Sequence, residues 1–150
     1  DSGGLNLSFR FDIILRLRKN KEDLLKKDMG LINTLYQQQQ DQRQFVQDAT
    51  EKSRNELNQK KRLNVGLGTM ILYDNFFQGT QAQEERQGKI ISEITTRLEA
   101  KREEVVEAMR KRRTLEILKD RDALKERKIR EKKETAILDE VASNLWGRNL

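Results

Sequence analysis

The chain has no cysteine, no histidine and no proline in 150 residues. Without cysteine there is no disulfide framework and no thiolate metal site. Without histidine the commonest general base and the commonest metal ligand are both missing. Without proline no segment is forced to stop or kink a helix. Aromatics are scarce at 5%, and the hydrophobic share is only 35% with a mean hydropathy of −0.92. That is too little apolar mass for a large core. The longest apolar cluster, Ile13-Ile14-Leu15, is flanked by Asp12 and Arg16. It falls far short of the roughly 20 apolar residues needed to span a bilayer. No secretory signal is recognisable, and a cytoplasmic location is expected.

What the chain does have is charge, at 37% of residues, arranged with helical periodicity from about Phe11 to about Leu145. A two-helix coiled coil suits this composition because it buries only a seam. In the first half, Ile14, Leu17, Leu24, Leu31, Leu35, Phe45, Ala49, Leu57 and Leu63 recur at sums of three and four residues. These positions predict the seam of a first helix. Gln37 to Gln40 predict a softly packed stretch within it. In the second half the predicted seam includes Tyr73, Phe76, Ile90, Ile91, Ile94, Leu98, Val105, Ala108 or Met109, Leu115 and Leu118. It continues through Ile129, Ile137 and Val141. Lys101, Arg112 and Asp122 fall at seam positions, where polar groups weaken packing and help set register.

The reversal is predicted at Asn64-Val65-Gly66-Leu67-Gly68. Lys60, Lys61 and Arg62 would favour the negative end of a helix dipole just before it. Gly66 would adopt the left-handed conformation that ends a helix, and Thr69 would cap the next. Gly79 and Gly88 bracket a second possible turn, but the helix formers 81–86 between them carry no stop signal.

The expected fold is therefore all-α: an antiparallel two-helix coiled-coil hairpin, a long rod with unequal helices. Residues 1–9 are expected to be a disordered lead-in or a cloning remnant. One hairpin would cover 10–146, with helices over about 10–63 and 69–146 around a turn at about 64–68, and 147–150 as a tail. At 1.5 Å per residue the helices would be roughly 80 Å and roughly 115 Å long. Folding about Gly66 would set Ile14 near Leu118. Residues beyond about Leu124 would then overhang the first helix, and a helical end without an intramolecular partner is a candidate binding surface.

Charge is unevenly placed. Residues 97–133 hold fifteen Lys and Arg against nine Asp and Glu, which accounts for the whole net charge of +6. Such a stretch could attract nucleic acid, an acidic protein or anionic lipid. Its signs are interleaved, however, as on a solvated helix face. A basic-zipper reading fails because Arg110-Lys111-Arg112-Arg113 is followed by no sustained leucine heptad. Base-stacking aromatics are nearly absent from this stretch, so nucleic-acid binding is not expected. Gly66-Leu67-Gly68 lacks the Gly-Lys-Ser/Thr of a phosphate loop. No nucleophilic triad spacing recurs, so no enzyme, cofactor or metal is expected. The alternatives left by the residues alone are a generic coiled-coil scaffold or dimerisation module, and a basic coiled coil binding nucleic acid.

Several motifs carry a resemblance. Phe9-Arg10-Phe11, then Ile14-Leu15-Arg16-Leu17-Arg18 and Glu22, form the opening. Leu72-Tyr73-Asp74-Asn75-Phe76-Phe77 with Gln83 follows the turn. Arg113-Thr114-Leu115-Glu116-Ile117-Leu118-Lys119, Arg130-Glu131 and Leu138-Asp139-Glu140-Val141-Ala142 form the closing half. In this order and spacing the chain resembles the flagellar export protein FliJ family, whose architecture the related injectisome proteins share. The resemblance implies a non-enzymatic, stalk-like component of flagellar type III export. It implies three partners: the hexameric export ATPase, the export gate membrane protein and the flagellar export chaperones. It also implies a peripheral location, through partners only, at the cytoplasmic face of the inner membrane. By the same analogy Ile13, Leu17, Arg127, Lys128, Arg130, Leu138, Asp139 and Glu140 lie at the ATPase-facing end. Tyr73, Phe76 and Phe77 lie near the hairpin tip, with Phe76 expected in the seam and Phe77 as the exposed contact.

Overall fold

The computed structural model describes residues 3–148, with side chains from residue 7. Two helices account for them: α1, Gly3–Lys61, and α2, Leu67–Arg148. They pack against each other as a helical hairpin and are unequal, at 59 and 82 residues. α1 starts at Gly3 rather than near residue 10, because Leu5, Leu7 and Arg10 favour helix and nothing stops it. Asp1 and Ser2 of the expected lead-in lie outside the described residues. Of the expected tail, Gly147 and Arg148 belong to α2, and Asn149 and Leu150 lie outside the described residues.

The connection differs in detail from the sequence expectation. The residue with positive φ is Asn64, at 63°, and no glycine is left-handed. Asparagine tolerates that region better than most residues. Lys60 and Lys61 form the last turn of α1, and the Leu63 amide donates to the Lys60 carbonyl at 2.9 Å. Gly66, not Thr69, is the cap of α2. Its carbonyl accepts from the amides of Thr69 at 3.1 Å and Met70 at 3.2 Å.

Packing divides the chain into two units, each containing a stretch of both helices. Unit 2 is Leu25–Glu104 and unit 1 is Asp1–Leu24 with Val105–Leu150. In unit 2, Val46, Leu57 and Ile91 are buried. The Lys60 ammonium donates to the Tyr73 hydroxyl at 3.0 Å and lies 5.3 Å from that ring's centre. The Arg54 guanidinium sits 5.8 Å from the Phe77 ring centre, and Lys101 reaches Asp28 at 3.9 Å. In unit 1, Val105 and Ala108 are buried. Arg112 Nε donates to Glu22 Oε2 at 2.5 Å, and Lys119 pairs with Asp12. Every one of these cross-helix pairs is centred within two residues of Gly66.

The buried and half-buried positions define the seam. In α1 they include Phe11, Leu15, Arg18, Glu22, Leu25, Met29, Ile32, Tyr36, Arg43, Val46, Ser53 and Leu57. With Gln39 and the buried Thr50 included, steps of three and four alternate from Phe11 to Leu57, the coiled-coil repeat. In α2 the seam runs from Met70 to Glu126 through Tyr73, Phe77, Ile91, Ile94, Leu98, Lys101, Val105, Ala108, Arg112 and Leu115. The expected α1 seam is thus corrected: Ile14, Leu17, Leu24, Leu31, Leu35, Phe45 and Leu63 are all exposed, and Ala49 and Leu57 remain. In α2, Phe76, Ile90 and Leu118 move to the exposed flank, as do Ile129, Ile137 and Val141.

Polar groups occupy the seam of both units. Glu22 is fully buried. Arg112 holds it and also donates to Glu116 at 2.7 Å, to which Arg113 donates at 3.2 Å. Slipping one helix by a heptad would strip a buried carboxylate of Arg112, so this cluster pins the register of unit 1. In unit 2, Gln40 donates to the Tyr36 hydroxyl at 3.0 Å. Buried Gln87 Oε1 and Arg43 Nε have no hydrogen-bond partner among the described residues. The seam of unit 2 is therefore weakly satisfied at Arg43 and Gln87.

The charge cluster sets a pH dependence. Hydrogen bonds from Arg112 and then Arg113 hold the Glu116 carboxyl below its ordinary value of 4.5. A depressed folded-state value stabilises above the unfolded value and is lost as pH falls through the folded one. Thermal melts of the chain should therefore shift down as pH drops below 4.5. The Glu116→Gln variant should show a smaller acid-induced shift than the parent.

Candidate partner-binding site

Two regions carry the sequence-derived site residues, one in each unit. In unit 1, α1 supplies Ile13 and Leu17, which are exposed. They lie one turn apart on a face other than the seam. Ile14 and Leu24 extend this apolar stripe, at spacings of three and seven from Leu17. Sequence reasoning assigned both to the seam, so the exposed stripe itself was missed.

The α2 contribution to unit 1 changes character at residue 127. From 127 to 148 every residue is exposed. A helix that reaches this far without burying a side chain has no partner within its own unit. Its first part holds Arg127, Lys128 and Arg130. Its second part holds Leu138, Asp139 and Glu140. No hydrogen bond or ion pair joins this segment to Ile13 or Leu17 among the described residues. Within it, Ile137, Leu138, Val141 and Leu145 recur at three and four, an apolar stripe. Trp146, 74% exposed, extends its edge. The stripe was visible as a continuation of the predicted seam, but Trp146 was not singled out.

In unit 2 the three aromatics form a cluster. The Tyr73 and Phe77 ring centres are 6.2 Å apart, and the Phe76 and Phe77 rings meet edge-on at 5.8 Å. Their roles are the reverse of those expected. Phe77 is half-buried on the seam beneath Arg54, and Phe76 is 40% exposed on the flank. Helix periodicity explains it: Tyr73 and Phe77 are four apart and share the seam face, and Phe76 falls outside it. Around the turn Leu63, Leu67 and Leu72 are 70% exposed or more. Leucines beside a glycine turn, with nothing to pack on, were the signal that would have found them.

Phe77→Ala should lower the stability of unit 2 by about 2 kcal/mol, roughly half the cost at a fully buried site. Phe76→Ala should leave it within about 0.5 kcal/mol. Urea titrations of the two variants separate these roles.

No group of three or more His, Cys, Asp or Glu is placed to hold a metal among the described residues. Nor is any helix among them long and apolar enough to cross a membrane. The features present are exposed helical faces, apolar stripes with charge alongside, which suit protein recognition.

Comparison with known proteins points the same way. The family model described as the flagellar FliJ protein matches residues 7–150, nearly the whole chain. No curated protein and no solved structure gives a significant match. A family match over both helices and their connection, on a helical hairpin, identifies the chain. It belongs to the flagellar FliJ protein family and is a component of the flagellar export apparatus.

Proposed function

We propose that this chain is a stalk-like, non-enzymatic coiled coil whose unit 1 end engages the hexameric flagellar export ATPase and promotes its action. Ile13 and Leu17 on α1 and Arg127, Lys128, Arg130, Leu138, Asp139 and Glu140 on α2 form that contact. The tip of unit 2, with Phe76 outward and Tyr73 and Phe77 behind it, takes a second partner, and the chain also contacts the export gate membrane protein. The chain also escorts flagellar export chaperones. It works in the cytoplasm, at the inner-membrane face, held there through its partners.

The observation that carries this reading is the 22-residue end of α2, 127–148, exposed at every position. An isolated helix of this length is marginal in water. It gains a reason to persist if another protein covers it, and the ATPase is the family's partner for that end. The test is co-sedimentation of the chain with the cognate export ATPase, using the full chain and a version ending at residue 126. The full chain should travel with the ring and the shortened chain should not. Equal co-sedimentation would place the contact elsewhere.

A further inference from the structure

Two exposed apolar stripes lie within unit 1, and they are complementary in charge. On α1, residues 10–21 carry five Lys and Arg and one Asp. On α2, residues 134–146 carry three acids and no base. Arg10, Arg16 and Lys21 have no ion pair among the described residues, and neither have Glu134, Asp139 and Glu140. The two surfaces cannot meet within one chain. α2 is continuous to Arg148, and between Lys89 and Trp146 it contains no glycine or proline at which to fold back.

We propose that a second copy of this chain brings them together, the end of α2 of each copy packing on the outer stripe of the other copy's α1. The arrangement is two-fold and reciprocal. α2 runs antiparallel to its own α1, and a two-fold axis across the helices reverses it, so it lies parallel to the α1 it covers. Setting Leu17 beside Val141 in that direction also sets Ile14 beside Leu138 and Arg10 beside Glu134. One such helix crossing is smaller than the roughly 800 Å² per partner of a stable interface, and reciprocity doubles it. The pairing covers Ile13, Leu17, Leu138 and Glu140. If the ATPase reading above holds, the paired form is also a state that cannot enter the ring.

The chain lacks cysteine, so single introduced cysteines report the contact without background. Leu17→Cys and Val141→Cys chains, made separately and mixed under oxidised glutathione, should cross-link to each other in preference to themselves. Sedimentation equilibrium of the parent chain should show a monomer–dimer equilibrium. The triple variant Glu134→Lys, Asp139→Lys, Glu140→Lys should weaken it at least about tenfold, since like charges then face each other. Mixing it with Arg10→Glu, Arg16→Glu, Lys21→Glu should restore association. All six positions are exposed, and circular dichroism checks that the variants fold. A parent that stays monomeric at every concentration overturns the proposal and leaves these stripes to another protein. So do cross-links that form equally within each single-cysteine chain, or triple variants that associate like the parent. No ATPase is present, so the result is independent of the ATPase contact.

Discussion

Val46→Asp should melt unit 2 at a far lower temperature than the parent, and Phe45→Asp should leave its melting unchanged. The two residues are neighbours, and Phe45 is the larger and more apolar. Yet Val46 is buried at 8% exposure and Phe45 stands 75% exposed. Aspartate at Val46 loses the packing of a seam side chain and places a carboxylate between two helices. Together these cost about 3 kcal/mol or more. Against a total stability of roughly 5–15 kcal/mol for a domain, that is a large share. Aspartate at Phe45 meets water and should change stability by no more than about 0.5 kcal/mol. Far-UV circular dichroism melts decide it. A larger loss at Phe45 would mean that the outer stripe, not the seam described above, holds the helices together.

That pair also marks where sequence reading succeeded and where it did not. Helices, hairpin and the pairing centre near Gly66 follow from periodicity, the missing prolines and one glycine-rich break. The face of α1 does not. Leu17, Leu24 and Leu31 are spaced by seven, as one position of a heptad would be. The real seam includes Arg18, Glu22 and Arg43, and a search for apolar residues passes over it. Glu22 is tolerated there because Arg112 neutralises it, a pairing across 90 residues that no local pattern encodes. In α2 the seam is richer in Ile, Leu and Val, and Ile91, Ile94, Leu98, Val105, Ala108 and Leu115 were recognisable. The turn shows the same limit on a smaller scale. Glycine suggested the left-handed residue, but Asn64 adopts it and Gly66 is left to cap α2.

Reversing Arg127, Lys128 and Arg130 to Glu should weaken binding to the export ATPase by about 100-fold while leaving the hairpin's melting curve in place. All three are exposed and lie beyond the last half-buried residue, Glu126, so the fold does not depend on them. Charges at a protein interface act through complementarity, and placing like charges there costs several kcal/mol. The loss should shrink as salt rises, because exposed charges are screened within about 10 Å at 0.1 M. Binding that is unchanged at low salt would remove the basic part of the α2 end from the contact. Leu138→Ala then tests the apolar part alone and should speed dissociation measurably if that stripe is covered.

The rate of ATP hydrolysis by the cognate flagellar export ATPase, with and without this chain at low salt, tests the central claim most directly. A stalk that enters and promotes the ring should raise the rate and co-sediment with the ring. No change in rate, with no complex formed, would contradict it.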